Sequence, residues 1–70
     1  MITIHLSRLL GERRMSQKAL SAKTGIRPNT INELYHNISE RVSLDHIDAI
    51  CSVLKCSLDE LMEYSDEDIG

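Results

Sequence analysis

Polar side chains recur at helical spacing along residues 24–37, TGIRPNTINELYHN. Asn29, Asn32 and Glu33 fall at positions i, i+3 and i+4, so one face of a helix would present them together. An Asn amide can form two hydrogen bonds with adenine, and a Glu carboxylate can accept one from the amino group of cytosine. Pro28 offers an apolar surface to a thymine methyl group. These residue types are suited to hydrogen-bonded recognition of base edges.

Catalysis is not indicated by the residue pattern. The sequence shows no paired carboxylates, no nucleophile beside a base and no glycine-rich loop for a phosphate. A chain of 70 residues also has little room for a substrate pocket. Cys51 and Cys56 have no second cysteine pair and no histidine at zinc-finger spacing, so we expect packed, reduced thiols and no metal site. We predict that the protein is not an enzyme and uses no cofactor or small-molecule substrate.

The charges are unevenly distributed along the chain, although the net charge is only -3. Residues 1–41 carry seven Lys and Arg against three acidic residues, and residues 42–70 carry one Lys against eight acidic residues. This division favours one face suited to an anion, although two ordinary solvated surfaces would give the same division. The first residues form too short an apolar run for a signal peptide, and no segment is long enough to span a membrane. We therefore expect a cytoplasmic location.

Apolar periodicity and capping residues predict five helices in one domain, residues 1–64, followed by an acidic, frayed tail at residues 65–70. The core must be aliphatic, because the chain has no Phe or Trp. Ile2 and Ile4 alternate with polar residues, which indicates a short N-terminal strand paired either with residues 38–42 or with the same strand of a second copy. The predicted helices cover residues 6–13, 17–24, 28–36, 44–54 and 58 to about 64.

Capping residues define the limits of the second and third helices. Ser16 is a good N-cap for the second helix, and Gly25 supplies the left-handed conformation that ends it. Pro28 fits the first position of the third helix and forces Arg27 into an extended N-cap conformation. Asn37, the residue type second to Gly at left-handed caps, is predicted to end that helix.

Serine residues precede the last two helices. Ser43 is the predicted cap of the fourth, and Ser57 with Glu60 matches a capping box at the start of the fifth. The fourth helix carries an apolar stripe of Leu44, Ile47, Ile50, Cys51 and Leu54. Residues available for packing from the fifth are Leu58, Leu61 and Met62. The cluster of Leu61, Met62 and Tyr64 would serve either as a dimer seam or as packing against the first helix.

Two short helices joined by a turn through Gly25 and Ile26 have the geometry of a helix-turn-helix. The stretch MSQKALSAKTGIRPNTINELY, with RLLGERR before it and SLDHIDAICSVLKCSLDEL after it, resembles the Cro and repressor-type helix-turn-helix domains of small bacterial and phage regulators. The resemblance extends from about residue 6 to residue 62. It implies an all-α, compact, five-helix lambda-repressor-like fold that binds double-stranded DNA with its third helix in the major groove. The specific positions are Gln17, Ala19, Leu20, Gly25, Ile31 and residues 57–61.

The resemblance divides the candidate DNA contacts into two groups. Bases are read from the third helix, and phosphates are held mainly by flanking residues. Family members use a Gln at the position of Gln17 for a phosphate, where the helix dipole and unpaired N–H groups attract an anion. Without the resemblance, Gln17 and Thr30 would be interpreted as ordinary residues on a helix surface. The base candidates are Pro28, Asn29, Asn32 and Glu33. The phosphate candidates are Gln17, Lys18, Arg27, Thr30 and His36, with Lys23 and Arg41 in addition.

Two candidates have a competing interpretation. Glu33 would be repelled by phosphates unless it meets a cytosine, and it would equally form an ion pair with Lys23 or Arg27. His36 would either touch a phosphate or cap its helix, and capping is favoured.

Three positions depart from the family pattern. Arg27 replaces the usual Ser or Thr cap, which costs about 1 kcal/mol of capping. Asn37 and Lys55 stand where Gly is common, so those turns are expected to be strained or differently shaped. None of these changes removes the fold.

Two functions are compatible with these observations. The first is a sequence-specific transcriptional regulator, a repressor acting as a homodimer on a near-palindromic site. The second is a protein-interaction module of the same fold, an antitoxin or antirepressor that uses its acidic C-terminal half against a basic protein partner. A protein regulator is also compatible with the first function, because the chain offers no separate effector domain.

Overall fold

The computed structural model describes residues 1–66. Five helices and one two-stranded antiparallel sheet make up this part of the chain, which confirms the predicted five-helix, all-α class with a short N-terminal strand. The elements, in chain order, are β1 (Ile2–Ile4), α1 (Leu6–Glu12), α2 (Gln17–Thr24), α3 (Pro28–Tyr35), α4 (Leu44–Leu54), α5 (Leu58–Leu61) and β2 (Met62–Tyr64).

The limits of α2 follow from the predicted caps. Ser16 Oγ accepts a hydrogen bond from the Ala19 N–H at 3.0 Å, which satisfies a backbone donor that has no partner within the helix. Gly25 has a φ of 76°, and its N–H donates to the carbonyl of Ser21 at 2.9 Å. A Cβ atom at Gly25 would have no neighbour within 4 Å, so the requirement for glycine here comes from the backbone conformation.

The third helix begins as predicted and ends one residue early. Arg27 is extended, with no side-chain cap, and Pro28 occupies the first turn. His36 is the C-cap and Asn37 has a φ of 58°, which confirms the predicted left-handed end. The N–H of Ile38 donates to the carbonyl of Glu33 at 3.0 Å, and that of Asn37 donates to Leu34 at 3.3 Å. These two bonds form a Schellman motif.

The connection between the last two helices begins at Lys55, which has a φ of 52° and ends α4. Ser43 is extended as expected of an N-cap, but its side chain makes no capping hydrogen bond. The capping box of α5 is confirmed: Ser57 Oγ accepts from the Glu60 N–H at 3.3 Å, and Glu60 Oε1 accepts from the Ser57 N–H at 2.9 Å. Helix α5 ends at Leu61, so its predicted extension to residue 64 is wrong.

The reason is that residues 62–64 pair with the N-terminal strand. Strands β1 and β2 are antiparallel, with Ile2 opposite Tyr64 and Ile4 opposite Met62. The predicted partner of β1, residues 38–42, is therefore wrong. Ser65 continues the pairing through two backbone hydrogen bonds to Met1, of 2.6 and 2.8 Å, so the predicted fraying does not begin at residue 65. Residues 67–70 of the predicted tail lie outside the described residues.

The core is aliphatic, as predicted, and receives side chains from every helix. Leu61 is fully buried, which places it in the core, whereas Tyr64 is 71% exposed. Leu44 and Leu58 were expected to pack but are 83% and 57% exposed. Each is the first residue of its helix and projects beyond the packed part of the helix face. The buried residues are Ile4, Leu6, Leu9, Leu10, Leu20, Ile26, Ile31, Leu34, Ile47, Ile50, Leu54 and Leu61.

Candidate nucleic-acid interface

Helices α2 and α3 are held against each other by buried aliphatic residues on both sides of the Gly25 turn. Leu20 and Ile31 are fully buried, and Ile26 in the turn is 4% exposed. Leu34 is also buried, and Tyr35 packs partly against the core, which confirms the predicted inner side of α3. Because the inner side of α3 is fixed in this way, its opposite side must face outward.

The outward side carries the predicted base-reading residues. Pro28, Asn29, Asn32 and Glu33 are all exposed. They line one shallow concave surface together with residues from the first turn of α2 and from the loop after α3. We call this surface the α2–α3 face; its residues are Gln17, Lys18, Pro28, Asn29, Asn32, Glu33 and Ile38.

A hydrogen bond joins the two helices on this face. Asn32 Nδ2 donates to Gln17 Oε1 at 3.2 Å. The bond uses one donor of Asn32 and the acceptor of Gln17, so the Gln17 amide group keeps its own two donors. Those donors lie at the first turn of α2, where backbone N–H groups also favour an anion. The geometry thus leaves Gln17 able to donate to a phosphate oxygen while its carbonyl orients Asn32.

The cationic candidates on α2 and in the turn before α3 have no acidic partner within residues 1–66. Lys18, Lys23 and Arg27 take part in none of the ion pairs found there, and all three are exposed. The alternative pairing of Glu33 with Lys23 or Arg27 is therefore not formed. The ion pairs of this part of the chain join His5 with Glu63, Arg8 with Glu12, and Arg13 with Glu12.

The remaining phosphate candidates occupy different positions around α3. Thr30 is partly buried, whereas His36 and Arg41 are exposed. His36 is the C-cap residue, and its ring lies edge-on to Tyr35 with the ring centroids 5.0 Å apart. Neither Thr30 nor His36 lines the α2–α3 face.

The Nε of Arg13 donates a hydrogen bond to the carbonyl of Leu54 at 2.7 Å. This bond ties the C-terminal end of α1 to the C-terminal end of α4.

Ile38 was missed by the sequence reasoning, although it is 64% exposed and belongs to the α2–α3 face. In a Schellman motif the residue after the left-handed position commonly packs on an apolar residue five positions earlier. That earlier residue is Glu33, which gives Ile38 no apolar partner at this point. The sequence did contain a signal for this exposure: the isoleucine directly follows a left-handed Asn and has no apolar residue five positions before it.

Two ionisable groups outside the α2–α3 face have shifted pKa values. The backbone hydrogen bond from Ser57 lowers the pKa of the Glu60 carboxyl from its ordinary value of 4.5. Burial raises the pKa of the Cys51 thiol from 9.0 to about 11, with a further contribution from the neighbouring Cys56. Both cysteines are free thiols.

The described residues show no feature of a metal site or of a membrane span. Residues 1–66 contain no group of three or more His, Cys, Asp or Glu side chains arranged to hold a metal ion. No helix in the same range has the length and apolar character needed to cross a membrane.

Comparison with known proteins gives a consistent result. Residues 5–67 match the family model of the Cro/C1-type HTH DNA-binding domain. The chain is 34% identical over 70 residues to the HTH-type transcriptional regulator YozG of Bacillus subtilis (strain 168), an alignment that covers 99% of this chain and 83% of the relative. It is also similar to the crystal structure of the transcriptional regulator VanUg, with a TM-score of 0.74, 32% sequence identity, and coverage of 89% of this chain and 81% of that chain. The chain therefore belongs to the Cro/C1-type helix-turn-helix DNA-binding family, and the two proteins that it resembles are transcriptional regulators.

Proposed function

We propose that this protein is a sequence-specific transcriptional regulator that places α3 in the major groove of double-stranded DNA. The observation that carries the proposal is the outward row of Asn29 and Asn32, with Asn32 hydrogen-bonded to Gln17 at 3.2 Å. Amide side chains can read base edges without a strongly positive surface, because other residues hold the phosphates.

In this proposal each residue of the face has a defined partner on the duplex. Asn29 and Asn32 pair with adenine, Glu33 accepts from the cytosine amino group, and Pro28 touches a thymine methyl group. Ile38 adds a second apolar contact beside them. The phosphate contacts come from Gln17, Lys18, Arg27, Thr30 and His36.

We further propose that the protein acts in the cytoplasm as a homodimeric repressor that blocks a promoter by occupying it. Two copies would read half-sites about 34 Å apart, one turn of the double helix. The acidic C-terminal half favours this arrangement, because it lowers the affinity of a single copy for DNA and so makes binding depend on two linked contacts.

The test begins with selection of bound sites from a random DNA pool, which yields the motif, its symmetry and the half-site spacing. Affinity for the selected site and for bulk DNA is then measured at two salt concentrations. The proposal requires weaker binding at high salt together with a clear preference for the selected site. Absence of any preferred sequence would contradict it.

A paired substitution assigns the binding to α3. Replacing Asn29 and Asn32 by Ala should abolish the preference for the selected site. Replacing Asp48 and Ser52 by Ala should leave it intact, because these exposed residues of α4 lie outside the α2–α3 face.

A protein-interaction module is the second candidate. The exposed carboxylates in the described part of the C-terminal half favour a basic protein partner in that case; they are Asp45, Asp48, Asp59, Glu60, Glu63 and Asp66. The same two double variants separate the two functions. If the Asp48 and Ser52 variant loses the biological phenotype and the Asn29 and Asn32 variant keeps it, the result would support the interaction module.

A further inference from the structure

The side chain of Asn37 occupies the place of a third strand beside β1. Its Oδ1 accepts from the Ile4 N–H at 2.6 Å, and its Nδ2 donates to the Ile4 carbonyl at 2.9 Å. Met1 and His5 form their backbone bonds toward the β2 side, with Ser65 and Leu61. In an antiparallel pair the backbone groups of Ile4 therefore point to the opposite edge, where Asn37 meets both of them.

The same residue ends α3. Asn37 has a φ of 58° and donates its own N–H to Leu34 as part of the Schellman motif. Glycine would adopt this conformation at lower cost, but glycine has no amide to offer to Ile4. One residue thus satisfies the helix end through its backbone and the strand edge through its side chain.

We propose that Asn37 is a positioning residue that fixes the C-terminal end of α3 against the β1–β2 sheet and so sets the orientation in which Asn29 and Asn32 are presented. The inference rests on the proposed DNA-reading function of α3. The N-terminal end of α3 is fixed by the Gly25 turn and Pro28, whereas the polypeptide leaves its C-terminal end in a loop.

The physical reason lies in the direction of the bonds. The buried side chains Ile31 and Leu34 hold α3 against the core through contacts that depend weakly on orientation. The two bonds of Asn37 to Ile4 depend strongly on angle and distance, so they select one orientation of the helix end. Bidentate contacts with a base require the reading side chains to be held within a fraction of an ångström.

The chain offers a matched control for this proposal. Lys55 also ends a helix with a left-handed backbone, at φ 52°, but its side chain makes no hydrogen bond within residues 1–66. Asn37→Gly and Lys55→Gly therefore make the same backbone change at two helix ends, and only the first removes a connection to β1. Gly suits the left-handed conformation at both positions, so both variants are expected to fold.

We expect Asn37→Gly to lower affinity for the selected site about tenfold, because one bidentate base contact would be poorly aligned. Affinity for bulk DNA should not change. Lys55→Gly should leave both affinities unchanged. If the two variants bind the selected site equally well, Asn37 acts only as a helix cap and the proposal is overturned.

Amide hydrogen exchange and NMR chemical shifts test the inference without DNA. Asn37→Gly should accelerate exchange of the Ile4 N–H and shift the amide resonances of Asn29 and Asn32, and Lys55→Gly should do neither. Unchanged exchange at Ile4, or unchanged α3 resonances, would overturn the positioning role. If the unmodified protein selects no DNA sequence, the proposed function fails, but these two measurements still support or overturn the connection between Asn37 and the orientation of α3.

Discussion

Asn32 of α3 and Gln17 of α2 are joined by a hydrogen bond of 3.2 Å between Asn32 Nδ2 and Gln17 Oε1. This bond connects the helix proposed to read bases with the helix whose first turn is suited to a phosphate. The two side chains should therefore behave as one unit when DNA binds.

A double-mutant cycle measures that coupling. Gln17→Ala and Asn32→Ala should each lower affinity for the selected site about tenfold, because the first removes a hydrogen bond to a charged group worth about 1.5–3 kcal/mol and the second a base contact worth about 1–3 kcal/mol. The double variant should lose less than the product of the two effects, since either single change already disturbs the shared arrangement. Gln17 and Asn29 share no hydrogen bond, so their cycle is the control and should be additive. Additivity of the Gln17 and Asn32 changes would contradict the coupling.

Arg27 should contribute a phosphate contact. Arg27→Ala is expected to reduce the slope of log affinity against log salt by about one, because one fewer counterion is released on binding. The comparison is Lys55→Asn, which removes a cation that does not line the α2–α3 face and introduces a residue type that accepts the left-handed backbone. Equal slopes for Arg27→Ala and the unmodified protein would exclude a phosphate contact at this residue.

Ile38 should recognise a thymine methyl group. Ile38→Ala is expected to weaken binding to the selected site about fourfold, the equivalent of about 0.8 kcal/mol, as for one methylene group buried against the thymine methyl. Replacing the contacted thymine by uracil removes the methyl group and should produce a similar loss. On the uracil-containing site the Ile38→Ala change should have no further effect. If no single thymine shows this dependence, Ile38 contacts something other than a base methyl group.

The capping box should make stability depend on acidity. The Glu60 carboxylate accepts from the Ser57 N–H, and this bond lowers its pKa below 4.5. Its contribution is present above pH 4.5 and is lost as the pH falls through the lowered pKa. Thermal unfolding of the unmodified protein and of Glu60→Gln should therefore differ near neutral pH and converge in acid. A constant difference across this range would show that the ionised form of Glu60 does not matter.

The Cys51 thiol should be slow to alkylate. Burial raises its pKa to about 11, so little of the reactive thiolate is present near pH 8. Iodoacetamide should modify Cys51 more slowly in the folded protein than in denaturant, as followed by mass spectrometry of the peptides. Because the pKa is raised above 9.0, this thiol should also reduce stability as the pH rises from 9.0 to about 11. Equal alkylation rates in the folded and unfolded states would contradict this prediction.

The helix limits were predictable from sequence because they depend on neighbouring residues. Ser16, Gly25 and Pro28 act on backbone groups within a few positions of themselves, and each does so in the structure. The outward direction of Asn29 and Asn32 followed from the same local geometry, once the inner side of α3 was defined.

The pairing of β1 with β2 was not predictable in this way. Residues 62–64 continue a helical pattern of apolar side chains, and only the distant strand at residues 2–4 makes an extended conformation preferable. The bonds between Asn37 and Ile4, 33 positions apart, depend on the same assembly. Exposure of Leu44 was missed for a related reason, because periodicity identifies a helix face and does not show where its packed part stops.

The strand pairing also constrains the order of events during synthesis on the ribosome. Strand β1 is synthesised before α1, and its hydrogen-bonding partner β2 is synthesised about 60 residues later. While the ribosome has produced only β1 and helices α1 to α4, β1 has no β2 to pair with. The sheet to which Asn37 connects α3 is then incomplete. Formation of the sheet therefore completes the native arrangement, and a ribosome that stalls before Met62 would leave a helix-turn-helix without its finished support.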